Sequence, residues 1–426
     1  MNRQIFIRAL IVILLGSIRI PAYAQDREPN LDEFIRQALR ENPQILAAQK
    51  RYEAARQRPA QASALDETMV SAGYASAGSP LPGAGLGREP ASNIGFMITQ
   101  DVPFPGKRQL RGDIAFKEAE AELQRYETVR RDVVSRLKQA YYRILYTNSV
   151  EDLLLRNRDL LRQLLKVTEI RYSVGNAVQQ DIFKAQTALS LLQIKLLQIE
   201  RERRIREVEI GTFLNRASGF SMGAAAPQAP PSMTIALDDL LAASQQDAPM
   251  IRADQKMIER AELAMNLARK DFYPDYAVSA GYFYQGAMPA MYQLRIDFKL
   301  PTSFFRKQRA GLAEQAAMVS EARRNYEATG RSLYLGISDD FLMAQTSLRL
   351  MKMYEETLVP QASLALDSSM PGYETGKLDF LSVLTNFTAR LEVQMSYFEE
   401  MLNARLALTR LEAMTGVSLI GPGGVQ

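Results

Sequence analysis

Apolar positions recur along this chain in two periods, and each half contains both. Ile182, Ala185, Leu189, Leu192, Leu196 and Ile199 step by 3, 4, 3, 4, 3, and Leu384, Thr388, Leu391, Met395, Phe398 and Leu402 step by 4, 3, 4, 3, 4. Such spacing is the seam of a helix packed lengthwise on another helix. The arms that precede these seams are longer still. No proline interrupts the chain from Gly106 to Tyr172, and from Phe305 to Asp367 the only one is Pro360. At 1.5 Å per residue each arm would span on the order of 90 to 100 Å, too long for a compact globule, so an elongated molecule is expected. Each arm ends at a glycine-bearing turn, Gly175 or Gly376, and the heptad pattern then runs back toward Gly219 or Gly416. Glycine suits the left-handed residue that closes a helix, so each half is expected to hold a helical hairpin.

Between the first helix of each half and its long arm the period drops to two. From Met291 to Leu300, Tyr292, Leu294, Ile296, Phe298 and Leu300 take one face, and Gln293, Arg295, Asp297 and Lys299 take the other. Its expected partner is Ala277 to Tyr284, with Val278, Ala280, Tyr282 and Tyr284 on one face. The first half offers Met69 to Ala75 and Asn93 to Asp101, with Ile94, Phe96 and Ile98 outward. One apolar face opposite a charged one is what a strand of a membrane barrel requires, and a soluble sheet packed on helices would also show it. The loops 79–91 and 285–290 are rich in glycine and proline, as is the segment 219–232, and all three read as surface connectors.

The two halves also match residue by residue. Leu31-Asp32-Glu33 with Asn42-Pro43 returns as Leu237-Asp238-Asp239 with Ala248-Pro249, and Val70-Ser71-Ala72-Gly73-Tyr74 returns as Val278-Ser279-Ala280-Gly281-Tyr282. Lys107-Arg108-Gln109 meets Arg306-Lys307-Gln308, and Tyr172-Ser173-Val174-Gly175 meets Tyr373-Glu374-Thr375-Gly376. The chain therefore reads as a tandem duplication: a first unit 25–219, a linker 220–232, a second unit 233–416 and a tail 417–426.

Composition narrows the function. Arg3 and Arg8, an apolar run from Ala9 to Ile18 and Ala22-Tyr23-Ala24 make residues 1–24 a secretory signal peptide. Export tips the alternating strands toward a membrane barrel, since no later run is long and apolar enough for a membrane helix. Of 52 Lys plus Arg against 48 Asp plus Glu, three basic residues fall in the signal segment, so the rest is nearly neutral and no nucleic-acid partner is expected. Cysteine and histidine are absent. That excludes a lipid-bearing N-terminal cysteine, a thiolate nucleophile, a serine–histidine triad and a His-built metal site. Neither catalysis, a cofactor nor a bound metal is expected, and most of the 18 methionines, such as Met257, Met265, Met343 and Met395, read as core filler.

The Leu-Asp-Glu start with Asn42-Pro43, the element Pro103-Phe104-Pro105-Gly106-Lys107-Arg108, and Arg171-Tyr172-Ser173-Val174-Gly175 followed by Asp181 together resemble the TolC-like outer-membrane efflux protein family. The Pro-Gly-Lys-Arg element is most similar to the branch serving heavy-metal pumps. The resemblance implies a mainly α fold with a membrane β-barrel portion: a homotrimer in the outer membrane, each chain giving four strands to a twelve-stranded barrel and its helices to a periplasmic tunnel. It also implies an adaptor protein and an inner-membrane pump, of the resistance-nodulation-division type, as partners. On this basis the adaptor would meet Val174, Gly175 and Asn176 at one hairpin tip and Thr375, Gly376 and Lys377 at the other. The periplasmic gate would involve Asp181, Tyr373 and Asp379, with a Tyr373–Asp181 hydrogen bond across neighbouring helices. The family's gate carboxylate positions are Ser382 and Thr385 here, and its basic residue is Leu378, which leaves Asp379 and Glu374 as either a substitute acidic ring or a helix cap and a solvated charge. Protein secretion and a soluble periplasmic coiled-coil spacer stand as alternatives, and the cargo is open.

Overall fold

The computed structural model describes residues 31–76, 80–216, 220–223 and 229–419. The expected signal segment, Gly219 and the end of the expected tail lie outside them. The first half runs α1 (Leu31–Glu41), α2 (Pro43–Ala55), α3 (Arg58–Ser63), β1 (Met69–Ala75), β2 (Asn93–Val102), α4 (Lys107–Ser173) and α5 (Gln179–Phe213). The second runs α6 (Leu237–Asp247), α7 (Pro249–Lys270), β3 (Asp275–Tyr284), β4 (Met291–Lys299), α8 (Arg309–Met353), α9 (Val359–Glu374) and α10 (Phe380–Thr415). The sequence signals account for most of these bounds. Asn42 caps α2 by accepting from the backbone of Gln44 and Ile45, and Pro43 takes the first helical turn, where no amide hydrogen is needed.

With 67 residues, α4 is about 100 Å long and unbroken. The second arm is not. Single π-helical turns at Phe304–Gln308 and Tyr354–Leu358 flank α8. Pro360 explains the lower one: proline lacks an amide hydrogen and its ring crowds the carbonyl four residues back, so the chain takes a wider turn just ahead of it. The return helix α5 also stops sooner than its expected end at Gly219, because Asn215 adopts a left-handed conformation (φ 52°) and the Arg216 amide donates back to the Gly211 carbonyl.

The four strands form one antiparallel sheet in the order β1-β2-β3-β4. The register puts Val70 opposite Ile98, Phe96 opposite Tyr282, and Tyr282 opposite Tyr292, while Ala280 faces Leu294. The apolar positions of all four strands therefore share one face, and it is open: Tyr292, Leu294, Ile296 and Phe298 are each more than half exposed. The other face is polar, with Thr99 and Ser279 hydroxyls 3.0 Å apart and Lys299 paired to Asp101 at 2.9 Å. Among the described residues β1 and β4 each keep one unpaired edge.

Below the sheet the helices pack through apolar seams. One core cluster joins Val150, Leu154, Leu161 and Leu164 of α4 to Ala185 and Leu192 of α5, Leu366 of α9, and Phe380 and Phe387 of α10. Another gathers Val133 to Leu145 of α4 around Phe34, Ile45 and Ile210. No helix among the described residues is long and apolar enough to cross a membrane.

Candidate functional site

The two long helical arms end in turns of the same build. In the first, Gly175 has φ +78° and the Asn176 amide donates to the Arg171 carbonyl at 2.7 Å. In the second, Gly376 has φ +78° and the Lys377 amide donates to the Gly372 carbonyl at 2.8 Å. Each glycine takes the left-handed place that L side chains avoid, which lets the chain reverse while the last helical carbonyls stay bonded. Val174, Gly175, Asn176, Thr375, Gly376 and Lys377 are all exposed. Beside the first turn Ile170, Val174 and Val178 are exposed as well, which gives that tip an apolar patch.

The expected gate residues are differently placed. Tyr373 is buried, 3% exposed, with its ring edge-on to Phe380, and its hydroxyl donates to Thr168 Oγ1 at 3.2 Å. The expected Tyr373–Asp181 bond is therefore not made within the chain. The ring lies in the seam between α4 and α10, where Thr168 is the polar group within reach of its hydroxyl. Asp181 sits in the first turn of α5, where the helix dipole favours a carboxylate. Asp379 is the N-cap of α10 and accepts from the Ser382 amide at 2.9 Å. Hydrogen bonds from Ser382 hold its carboxyl below the usual aspartate range. Of the two roles open to Asp379, the structure displays the cap.

Sequence reasoning assigned no role to Arg171. Its guanidinium reaches from the end of α4 to the second turn, donating through Nη1 to the Tyr373 and Glu374 carbonyls, the latter at 2.9 Å. Nη2 donates to the Asn176 carbonyl at 3.0 Å, and the guanidinium carbon lies 4.7 Å from the centre of the Tyr373 ring. The one available signal was an asymmetry: Arg171 stands four residues before Gly175, and the residue four before Gly376 is Gly372.

Residues 34–216 match the family model for the outer membrane efflux protein. Among curated proteins the chain is 21% identical over 320 residues to the cobalt-zinc-cadmium resistance protein CzcC of Cupriavidus metallidurans, covering 74% of this chain and 75% of that one. The fold matches that of the outer membrane protein VceC of Vibrio cholerae with a TM-score of 0.77 and 19% identity, over 91% of this chain and 96% of that one. It matches the open state of the MtrE outer membrane channel of Neisseria gonorrhoeae with a TM-score of 0.76 and 16% identity, over 92% and 90% of the two chains. Over residues 34–216 the chain resembles the outer membrane efflux protein family, and its fold is that of TolC-like outer membrane channels. That family is one of outer membrane transporters rather than enzymes, which form trimers and work in tripartite systems.

In this chain the element Pro103 to Arg108 is the joint between sheet and helix. Lys107 opens α4 and is 3% exposed, with its amine 2.9 Å from Asp275 and 3.2 Å from Asp271. Asp275 also accepts from the Phe104 amide at 2.7 Å, and the Phe104 ring stacks on Tyr273 at 4.6 Å. A buried ammonium survives only when it is paired in this way, so the joint is stiff where strands hand over to helices. Among the described residues no group of three His, Cys, Asp or Glu is placed to hold a metal ion.

Proposed function

We propose that three copies of this chain close a twelve-stranded barrel and a helical tunnel, forming the passive exit duct of a tripartite efflux system. The observation that carries this is the open four-stranded sheet with one apolar face and two free edges. Bacterial barrels need about eight strands or more, and free edges are a liability that closure removes. An exposed apolar row on α5, through Leu191, Ile194, Leu197, Ile205 and Val208, supports a second contact between copies below the sheet.

The two exposed tip turns are the docking surface for a periplasmic adaptor, with an inner-membrane pump of the resistance-nodulation-division type supplying the energy. Their glycines allow close approach of a partner helix, and the apolar residues beside Gly175 give it something to bury. Asp181 and Asp379 lie near the tips on the gate side, and Tyr373 acts there through its packing rather than through Asp181. The cargo is a small molecule or a metal ion, and the likeness to a cobalt-zinc-cadmium resistance protein favours the metal ion. The two halves descend from one duplicated unit.

The absence of native cysteine makes the test clean. A cysteine placed on the free edge of β1 and another on that of β4 should cross-link in purified membranes to bands of two and three chains and no more. A protein released by osmotic shock and cross-linking to no trimer would support the soluble spacer instead.

A further inference from the structure

We infer that Arg171 is the positioning residue that holds the two tip turns in one fixed relation, so that the docking face is assembled from both helical arms. This rests on the reading of the tips as the adaptor's docking surface.

The geometry is specific to a guanidinium. A planar fork can hold carbonyls in two directions at once and still lie flat on an aromatic ring, which a lysine ammonium cannot do. Here the fork holds Tyr373 and Glu374 of the second turn and Asn176 of the first, with the Tyr373 ring beneath it. The Tyr373 and Glu374 carbonyls belong to the last turn of α9, where the dipole favours a cation, and the Tyr373 carbonyl takes the guanidinium as well as the Gly376 amide at 3.0 Å. Tyr373 is itself fixed from below by Thr168 of the same helix as Arg171, so α4 grips this end of α9 at two points.

The second arm has no equivalent clamp. A side chain at Gly372 would begin 2.8 Å from Leu378 Cδ1, so Leu378 fills the place that a second arginine would need. At the second glycine, a Cβ on Gly376 would lie 3.5 Å from Arg171 Nη2, which puts the clamp directly beneath the exposed turn.

The test uses the full-length trimer in detergent with spin labels at Asn176→Cys and Lys377→Cys, the labelled chain diluted with unlabelled chain so that one pair is read per trimer. The wild-type pair should give one narrow distance distribution. Arg171→Ala should at least double its width, and Arg171→Lys should fall between, because one ammonium cannot span the set of carbonyls. Unchanged width in Arg171→Ala at normal trimer yield would overturn the inference. Zinc tolerance of cells carrying unlabelled Arg171→Ala separates the two readings. Broadened distances with normal tolerance would leave the clamp standing and remove the tips from the docking surface. Unchanged distances with lost tolerance would remove the clamp and keep the docking surface.

Discussion

The two long arms follow one plan and do different physical work. The first is a single 67-residue helix, and the second is interrupted by a π turn at Tyr354–Leu358 ahead of Pro360. Tyr172 and Tyr373 stand three residues before their glycines, yet Tyr172 is 45% exposed while Tyr373 is 3% exposed. The position that is Arg171 in one arm is Gly372 in the other. These differences fit together across the tip: one half supplies the cation and the rigid helix, and the other supplies the carbonyls and the ring. In a repeated fold the role of a residue is thus set by what packs against it, and matching positions can diverge into complementary ones.

The largest expected effect comes from breaking what the halves share, the apolar face of their common sheet. A cation at the midplane of a membrane barrel costs about 2–4 kcal/mol. Leu294→Arg or Ile296→Arg should therefore strip the trimer from the membrane fraction, and Arg295→Gln, on the polar face, should not. Equal and mild effects at all three positions would mean that this face does not meet lipid.

Next come the glycines, where the arms should separate. Any side chain at φ +78° carries a local penalty of about 1–2 kcal/mol, small beside the seams that hold the arms. A Cβ at Gly175 meets nothing within 4 Å, whereas one at Gly376 points toward Arg171. Gly376→Glu should abolish export at unchanged trimer yield, while Gly175→Ala should retain most of it. Tolerance assays paired with trimer gels check both, and the reverse ranking would break the comparison.

The tyrosines give a smaller contrast. Tyr373→Phe removes a buried hydrogen bond worth about 1 kcal/mol and should lower the thermal midpoint. Tyr172→Phe should leave the midpoint unchanged, because its ring is half in solvent. With the Tyr373 hydroxyl given to Thr168, Tyr373→Phe and Asp181→Ala should act additively on single-channel conductance. Strong non-additivity would restore a direct bond between them.

The smallest effect is at the cap of α10. The Asp379 carboxyl is held below its ordinary pKa of 3.8, so the charged form stabilises the cap above that pH, and the contribution is lost as pH falls through the lower folded-state value. Asp379→Asn keeps an N-cap acceptor and removes the titration. Its stability should lie slightly below wild type at neutral pH and fall less steeply in acid, as acid-unfolding curves would show.

What the sequence by itself determined is what short-range rules govern. Alternation of period two placed β1 to Ala75 and β4 from Met291, and because each strand turns one face to lipid or solvent along its whole length, its register of apolar residues could be read without its neighbours. Heptad spacing and a glycine at each reversal placed α4, α5 and α10 for the same reason: helix periodicity and left-handed caps are local. The site was legible only as far as the exposed turns. The family resemblance paired the Tyr373 hydroxyl with Asp181, and nothing in its neighbourhood along the chain announces Thr168, 205 residues away. Arg171 has no assigned role until the second turn, 202 residues on, supplies its acceptors. Burial and hydrogen-bond choice are settled by which side chains the packed seams bring within a few ångströms, and that is information only the tertiary structure holds.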